Sequence, residues 1–185
     1  MVNNIFRWPI LTRKEFNLSI QEFYNKSQTL GEDWEYIKDL TSKESDRKID
    51  YLIKRNVIME TKESENEPWL RFDYHILYST SYQVPIFYFK AYSQASQPLT
   101  LSELYLHLTP HDHLEKIKLA SFQGGLSQQD HPILNIPYFY IHPCHTKDLL
   151  SILDEKKVTL TTYIASWLSL IAPPLGLTIS SNYFN

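Results

Sequence analysis

The chain has a single cysteine, Cys144, among its 185 residues, so it forms no internal disulfide and builds no four-cysteine zinc site. Glycine is nearly as scarce, with four residues, and Gly124-Gly125 stands alone, without the spacing of a dinucleotide- or phosphate-binding loop. No apolar run has the length needed to span a membrane. Met1 to Arg13 is too mixed in character for a secretory leader. Basic residues form no block: 18 Lys and Arg face 21 Asp and Glu, a net charge of −3, so nothing in the charge pattern calls for nucleic acid. A protein without disulfides, leader or membrane span is expected in the reducing cytoplasm.

What the chain does have is aromatic surface. Thirteen Tyr, nine Phe and four Trp make up 14% of the residues, a bias that suits sheet faces. A chain of this size buries about 70% of the surface its unfolded form exposes, enough for a core without staples. One domain over residues 1–185 is therefore expected.

Hydrophobic spacing gives an α+β order. Thr12-Arg13-Lys14-Glu15 has capping-box spacing, and Phe16, Ile20, Phe23 and Tyr24 recur on one helical face, so 13–28 reads as a helix closed by Gly31. Trp34–Leu40 reads as a short strand, 41–48 as a charged loop, Tyr51–Thr61 as a strand and 62–68 as a polar turn. Trp69–Ser79 is the clearest strand, with Tyr74, Ile76 and Tyr78 on one face and His75 and Leu77 on the other. After a bend at Ser81-Tyr82-Gln83, the run Ile86-Phe87-Tyr88-Phe89 is apolar on both faces, as in a central strand. The sheet over 34–92 is thus a four-strand antiparallel meander. The segment 93–146 holds a loop, a capped helix from Thr100 with Leu101, Leu104, Tyr105 and Leu108, a helical turn at 111–118, a weakly structured stretch at 121–132 and one more strand. C-terminal helices fill 147–172, the last with Tyr163, Ile164, Trp167, Leu168 and Ile171 on its buried stripe, and 178–185 reads as a frayed tail.

Two clusters invite chemistry. His107, His111 and His113 with Asp112 suggest a metal, but Pro110 breaks the helix between the first two, and solvent-facing helix-end histidines account for them better. No metal or cofactor is expected. The second cluster is Tyr138-Phe139-Tyr140-Ile141-His142-Pro143-Cys144-His145-Thr146. The proline ends the strand's ladder and holds His142 extended, so the thiol emerges where the strand leaves the sheet. A lone cysteine is often a small core hydrophobe, but the polar neighbours favour a nucleophile. A papain-like arrangement would need a histidine oriented by Asn or Asp, which the spacing of His142 and His145 does not provide. Acyl transfer fits better, since a thioester is open to attack by an amine.

At these residues the chain resembles the ubiquitin-conjugating-type enzymes of autophagy. His142-Pro143-Cys144 is similar to their His-Pro-Cys motif, where ordinary conjugating enzymes carry His-Pro-Asn. Tyr74 to Ser79, Ser81 to Pro85, Asp130-His131-Pro132 and Thr146 resemble the member of that family with a tyrosine-rich hairpin, rather than the one with a long acidic insertion. The resemblance covers roughly residues 69–172 and implies a ubiquitin-conjugating-enzyme-like fold. It implies a relay as well. The activating enzyme, autophagy protein seven, hands the C-terminal glycine of the ubiquitin-like autophagy protein twelve to Cys144. Cys144 holds it as a thioester and passes it to a lysine of autophagy protein five.

Without the asparagine of His-Pro-Asn, another group must steady the oxyanion, and Asn135, nine residues before Cys144, is the candidate against a plain turn amide. Tyr82 at the hairpin bend is a candidate for positioning the incoming lysine, and His142 is expected to hold the turn. Two other classes stay open at this point: a non-catalytic module that docks partners through its aromatic hairpin, and a cysteine peptidase.

Overall fold

The computed structural model describes residues 7–39, 50–60, 69–108 and 125–185. Expectations for 41–48, 62–68, 111–118 and 121–124, and the metal reading of His111, Asp112 and His113, lie outside the described residues.

Helix α1 (Arg13–Thr29) begins at a complete capping box, Thr12 accepting from the Glu15 amide while Glu15 accepts from the Thr12 amide, and it buries Phe16, Ile20 and Phe23. Strand β1 (Glu35–Ile37) is shorter than expected. The Asp50 carboxylate takes both the Asp39 amide, at 2.9 Å, and the Tyr36 hydroxyl, which removes the chain from the ladder after Ile37. Strands β2 (Tyr51–Glu60), β3 (Trp69–Ser79) and β4 (Val84–Tyr92) complete the antiparallel meander. One extra residue between Lys54 and Val57 bulges β2, with Asn56 at φ 57° and its amide donated to the Asp73 carboxylate.

The sheet has six strands in the order β1-β2-β3-β4-β6-β5, where β5 is Leu126–Asp130 and β6 is Pro137–Ile141. The stretch 121–132 is therefore not unstructured over its second half: Leu126–Asp130 pairs along all of β6. Its glutamines and serine carry no strand signature, and the pairing comes from β6 rather than from local propensity.

Helices α2 (Leu101–His107), α3 (Thr146–Leu150) and α4 (Tyr163–Ile171) follow in chain order. The main core fills one face of the sheet, where Tyr74, Ile76, Phe87 and Phe89 meet Phe16, Ile20, Tyr163 and Trp167. Leu77, Ile86, Tyr88 and Tyr138 form a smaller cluster on the other face, so β3 and β4 bury both faces, as a central position requires. The tail is not frayed. Tyr183 is buried and stacks on Phe23 at 4.6 Å, and Lys26 donates to the Asn185 carbonyl at 3.0 Å.

After α4, Pro173-Pro174 stops the helix and Gly176 turns the chain in the left-handed region at φ 76°. A Cβ on Gly176 would lie 2.6 Å from the Met59 Cβ. Gly176→Ala combines that clash with an unfavourable φ and should cost about 2 kcal/mol or more in urea unfolding, with the denaturant slope unchanged.

Candidate active site

Strand β6 is held on both sides, by β4 through Phe87↔Ile141, Tyr88↔Tyr140 and Phe89↔Phe139, and by β5 through five paired residues. The last tie is the His142 amide donated to the Gly125 carbonyl at 2.7 Å. His142 then sits extended at φ −63°, ψ 131°, as a residue before proline prefers. A single 3₁₀ turn, Pro143–His145, leads into α3. Cys144 is exposed on that turn, while Pro143 and Thr146 on either side are buried and anchor it.

His142 holds the turn, as the sequence suggests. Its Nδ1 accepts from the Cys144 amide at 3.2 Å, so in the neutral ring the proton resides on Nε2. The imidazole is thus committed to the backbone of the cysteine. The Tyr82 ring stands edge-on to the His142 ring, at 5.3 Å and 82°. Tyr82 lies on the β3–β4 turn, which is tied by the Gln83 amide to the Ser79 carbonyl at 2.7 Å and by the Leu11 amide to the Gln83 carbonyl at 2.8 Å. Tyr82, His142 and Cys144 are therefore brought together.

Asn135 is not. It occupies the β5–β6 turn at φ 52°, with its amide donated to the His131 carbonyl at 2.9 Å. That turn precedes Pro137, whereas Cys144 follows Ile141, so the length of β6 separates them, about 14 Å at a strand rise of ~3.4 Å per residue. The nine-residue spacing runs along the strand, not across it. Asn135 serves the turn, where its tolerance of the left-handed region explains its presence.

The same turn holds a device the sequence does not reveal. His131 is fully buried, its Nδ1 accepts from the Ile133 and Leu134 amides at 3.2 Å each, and its other nitrogen lies 3.0 Å from Nδ1 of buried His75. With Nδ1 an acceptor, His131 carries its proton on Nε2 and donates it to His75. His75 in turn presents Nε2 to the Tyr138 hydroxyl, at 3.5 Å. Both rings are neutral by construction. Burial, then the neighbouring His131, Arg55 and Lys90, lower the His75 pKa to about 3; burial, then Lys90, lower that of His131 to about 4. Only the position of His75 beside Tyr74 on a paired strand could have signalled part of this arrangement.

The sheet, the helices on one face and an exposed thiol at a strand exit define a fold of the ubiquitin-conjugating type. A solved structure described as "Crystal structure of Autophagic E2, Atg10" shares it, with TM-score 0.55 over 88% of this chain and 94% of that one at 11% identity, a likeness of fold. The chain belongs to the family described as "Autophagocytosis associated protein, active-site domain", whose sequence model matches residues 15–182. It is 37% identical over 120 residues to the Homo sapiens "Ubiquitin-like-conjugating enzyme ATG10", covering 62% of this chain and 52% of that protein. The Arabidopsis thaliana protein of the same name is 30% identical over 139 residues, covering 72% of this chain and 60% of that one. The chain thus spans about half the length of the curated relatives it matches. Among the described residues, no group of three or more His, Cys, Asp or Glu side chains is placed to hold a metal, and no helix is long and apolar enough to cross a membrane.

The neutral histidine pair gives a pH dependence with a definite sign. Unfolding lets both rings rise to their ordinary pKa of 6.5, so between there and about 4 and 3 the unfolded chain binds more protons. Their contribution is complete above pH 6.5 and is lost as pH falls through that window, by up to about 1.4 kcal/mol per pH unit for each proton. Urea unfolding at pH 7, 5 and 4 should show a shallower decline for His75→Gln than for the wild type; identical slopes would contradict the neutral pair.

Proposed function

We propose that this chain is a ubiquitin-like protein conjugating enzyme of autophagy, acting in the cytoplasm as one catalytic domain over residues 1–185. The observation that carries the reading is an exposed thiol, the chain's only one, whose backbone amide is pinned by His142 at the exit of β6. The names and family of its relatives support the same chemistry. On this reading Cys144 receives the C-terminal glycine of autophagy protein twelve from the activating autophagy protein seven. The thioester is then attacked by a lysine of autophagy protein five, giving an isopeptide bond and the free thiol.

The geometry is suited to transfer. An exposed cysteine is accessible to protein partners, and a buried one would not be. A peptidase would need an imidazole aimed at the sulfur, but His142 gives its Nδ1 to the amide. A hairpin that augments a partner's sheet would need a free edge, but β3 and β4 are both internal strands.

Incubation with the activating enzyme, ATP and protein twelve should give an adduct on Cys144 that reductant removes. Cys144→Ser should give a reductant-stable oxyester, and Cys144→Ala no adduct. Conjugation of protein twelve to protein five by Cys144→Ala would sink the assignment.

Tyr82 is proposed to set the lysine's line of approach by bracing His142 through its ring. Tyr82→Ala should then slow transfer to lysine about tenfold while loading stays intact, and Tyr82→Phe, which keeps the ring, should behave as wild type. A Tyr82→Phe loss equal to that of Tyr82→Ala would assign the work to the hydroxyl instead.

A further inference from the structure

The helical segment after the thiol presents a row of exposed side chains that the reading above does not use. Backbone winding continues from Pro143 through α3 and beyond it, with the Ser151 amide on the Lys147 carbonyl at 3.0 Å, Ile152 on Leu149 at 3.2 Å and Leu153 on Leu150 at 2.9 Å. Residues four apart are turned by about 40° on an α-helix and about 120° on a 3₁₀ path. The segment mixes the two, and Cys144, Asp148 and Ile152 share its exposed half. The opposite side is buried through Thr146 and Leu150.

All three side chains face solvent: Cys144 is exposed, the Asp148 side chain is 85% accessible, and Ile152 is 74% accessible, among the most exposed large apolar residues described. The row is therefore sulfur, carboxylate, aliphatic, about 6 to 8 Å apart along the segment. His145 stands beside the carboxylate, its Nδ1 3.8 Å from an Asp148 oxygen.

We infer that this row is the docking track for the acceptor, which takes the acceptor's lysine ammonium at Asp148 and a neighbouring apolar side chain at Ile152; the inference rests on the conjugating function proposed above. Charge complementarity fixes the occupant. Aspartate attracts the ammonium one turn from the sulfur, and the ubiquitin-like protein's glycine, already esterified, brings no cation there. The proton balance gives such a group a role. A lysine arrives as –NH₃⁺ and leaves as an amide N–H, shedding two protons. One passes to Asp148, and from it to water, freeing the lone pair that attacks the thioester carbon. The C–N bond forms, the C–S bond breaks, and the second proton leaves with the Cys144 thiolate as the thiol. Asp148 also fits where Asn135 does not, because it lies one turn on from the thiol.

The test charges wild type, Asp148→Asn and Ile152→Ser with the ubiquitin-like protein, then chases each thioester with free lysine, with hydroxylamine and with the protein acceptor. Hydroxylamine is a neutral nucleophile at the working pH and has no ammonium to place or deprotonate. Asp148→Asn should load normally, discharge to lysine about tenfold more slowly or worse, and discharge to hydroxylamine at the wild-type rate. Ile152→Ser should discharge to free lysine as wild type and to the protein acceptor about fivefold more slowly. Equal slowing of lysine and hydroxylamine by Asp148→Asn, or no slowing of either, overturns the inference. So does an Ile152→Ser variant that loses loading as much as transfer, which would give this face to the ubiquitin-like protein. A wild-type chain that forms no thioester fails at an earlier point and rejects the conjugating function itself.

Discussion

The register between β4 and β6 is the constraint on which the site depends. Because Phe89 faces Phe139 and Phe87 faces Ile141, β6 runs antiparallel to β4 and delivers its end to the side of the sheet where the β3–β4 turn lies. His142 thereby meets Tyr82, and Cys144 emerges beyond both. A slip of one residue would turn Phe139 out of the main core and put Tyr140 in its place, so the packing of two aromatic faces enforces the register. The exposed thiol needs no elaborate loop of its own. It inherits its position from the sheet.

Much of this was legible in the residues, and for physical reasons. Tyr74, Ile76 and Tyr78 alternate with His75 and Leu77, and the two sets do face different clusters. The capping boxes at Thr12 and Thr100 are both formed, because their partners lie three residues away and no tertiary context is needed. What failed to show were features set at long range. Leu126–Asp130 becomes a strand because β6 offers it a ladder, and β1 ends early because Asp50, eleven residues beyond Asp39, takes its amide. The tail is ordered because Tyr183 finds Phe23, on the first helix. At the site, the placement of Tyr82 could be sensed from the hairpin. That of Asn135 could not, since a count of nine residues does not say whether they run along a strand or back across it.

The β5–β6 turn uses two histidines where a surface loop would use water. His131 satisfies two backbone amides that have no other partner in the turn, and His75 accepts from His131. Two buried imidazoles are a costly way to tie a loop unless they stay neutral, and their burial keeps them so. The turn is thereby fastened at the far end of the strand that leads to Cys144.

The solitary sulfur has a practical side. With every other position in 185 residues lacking a thiol, and Cys144 open to solvent, a maleimide or spin label attaches at one atom only. A probe placed there reports on the exit of β6 without any engineered cysteine-free background. The same isolation leaves the chain no second thiol with which to form a protective disulfide, so a sulfenic acid at Cys144 has no internal partner to stop its further, irreversible oxidation.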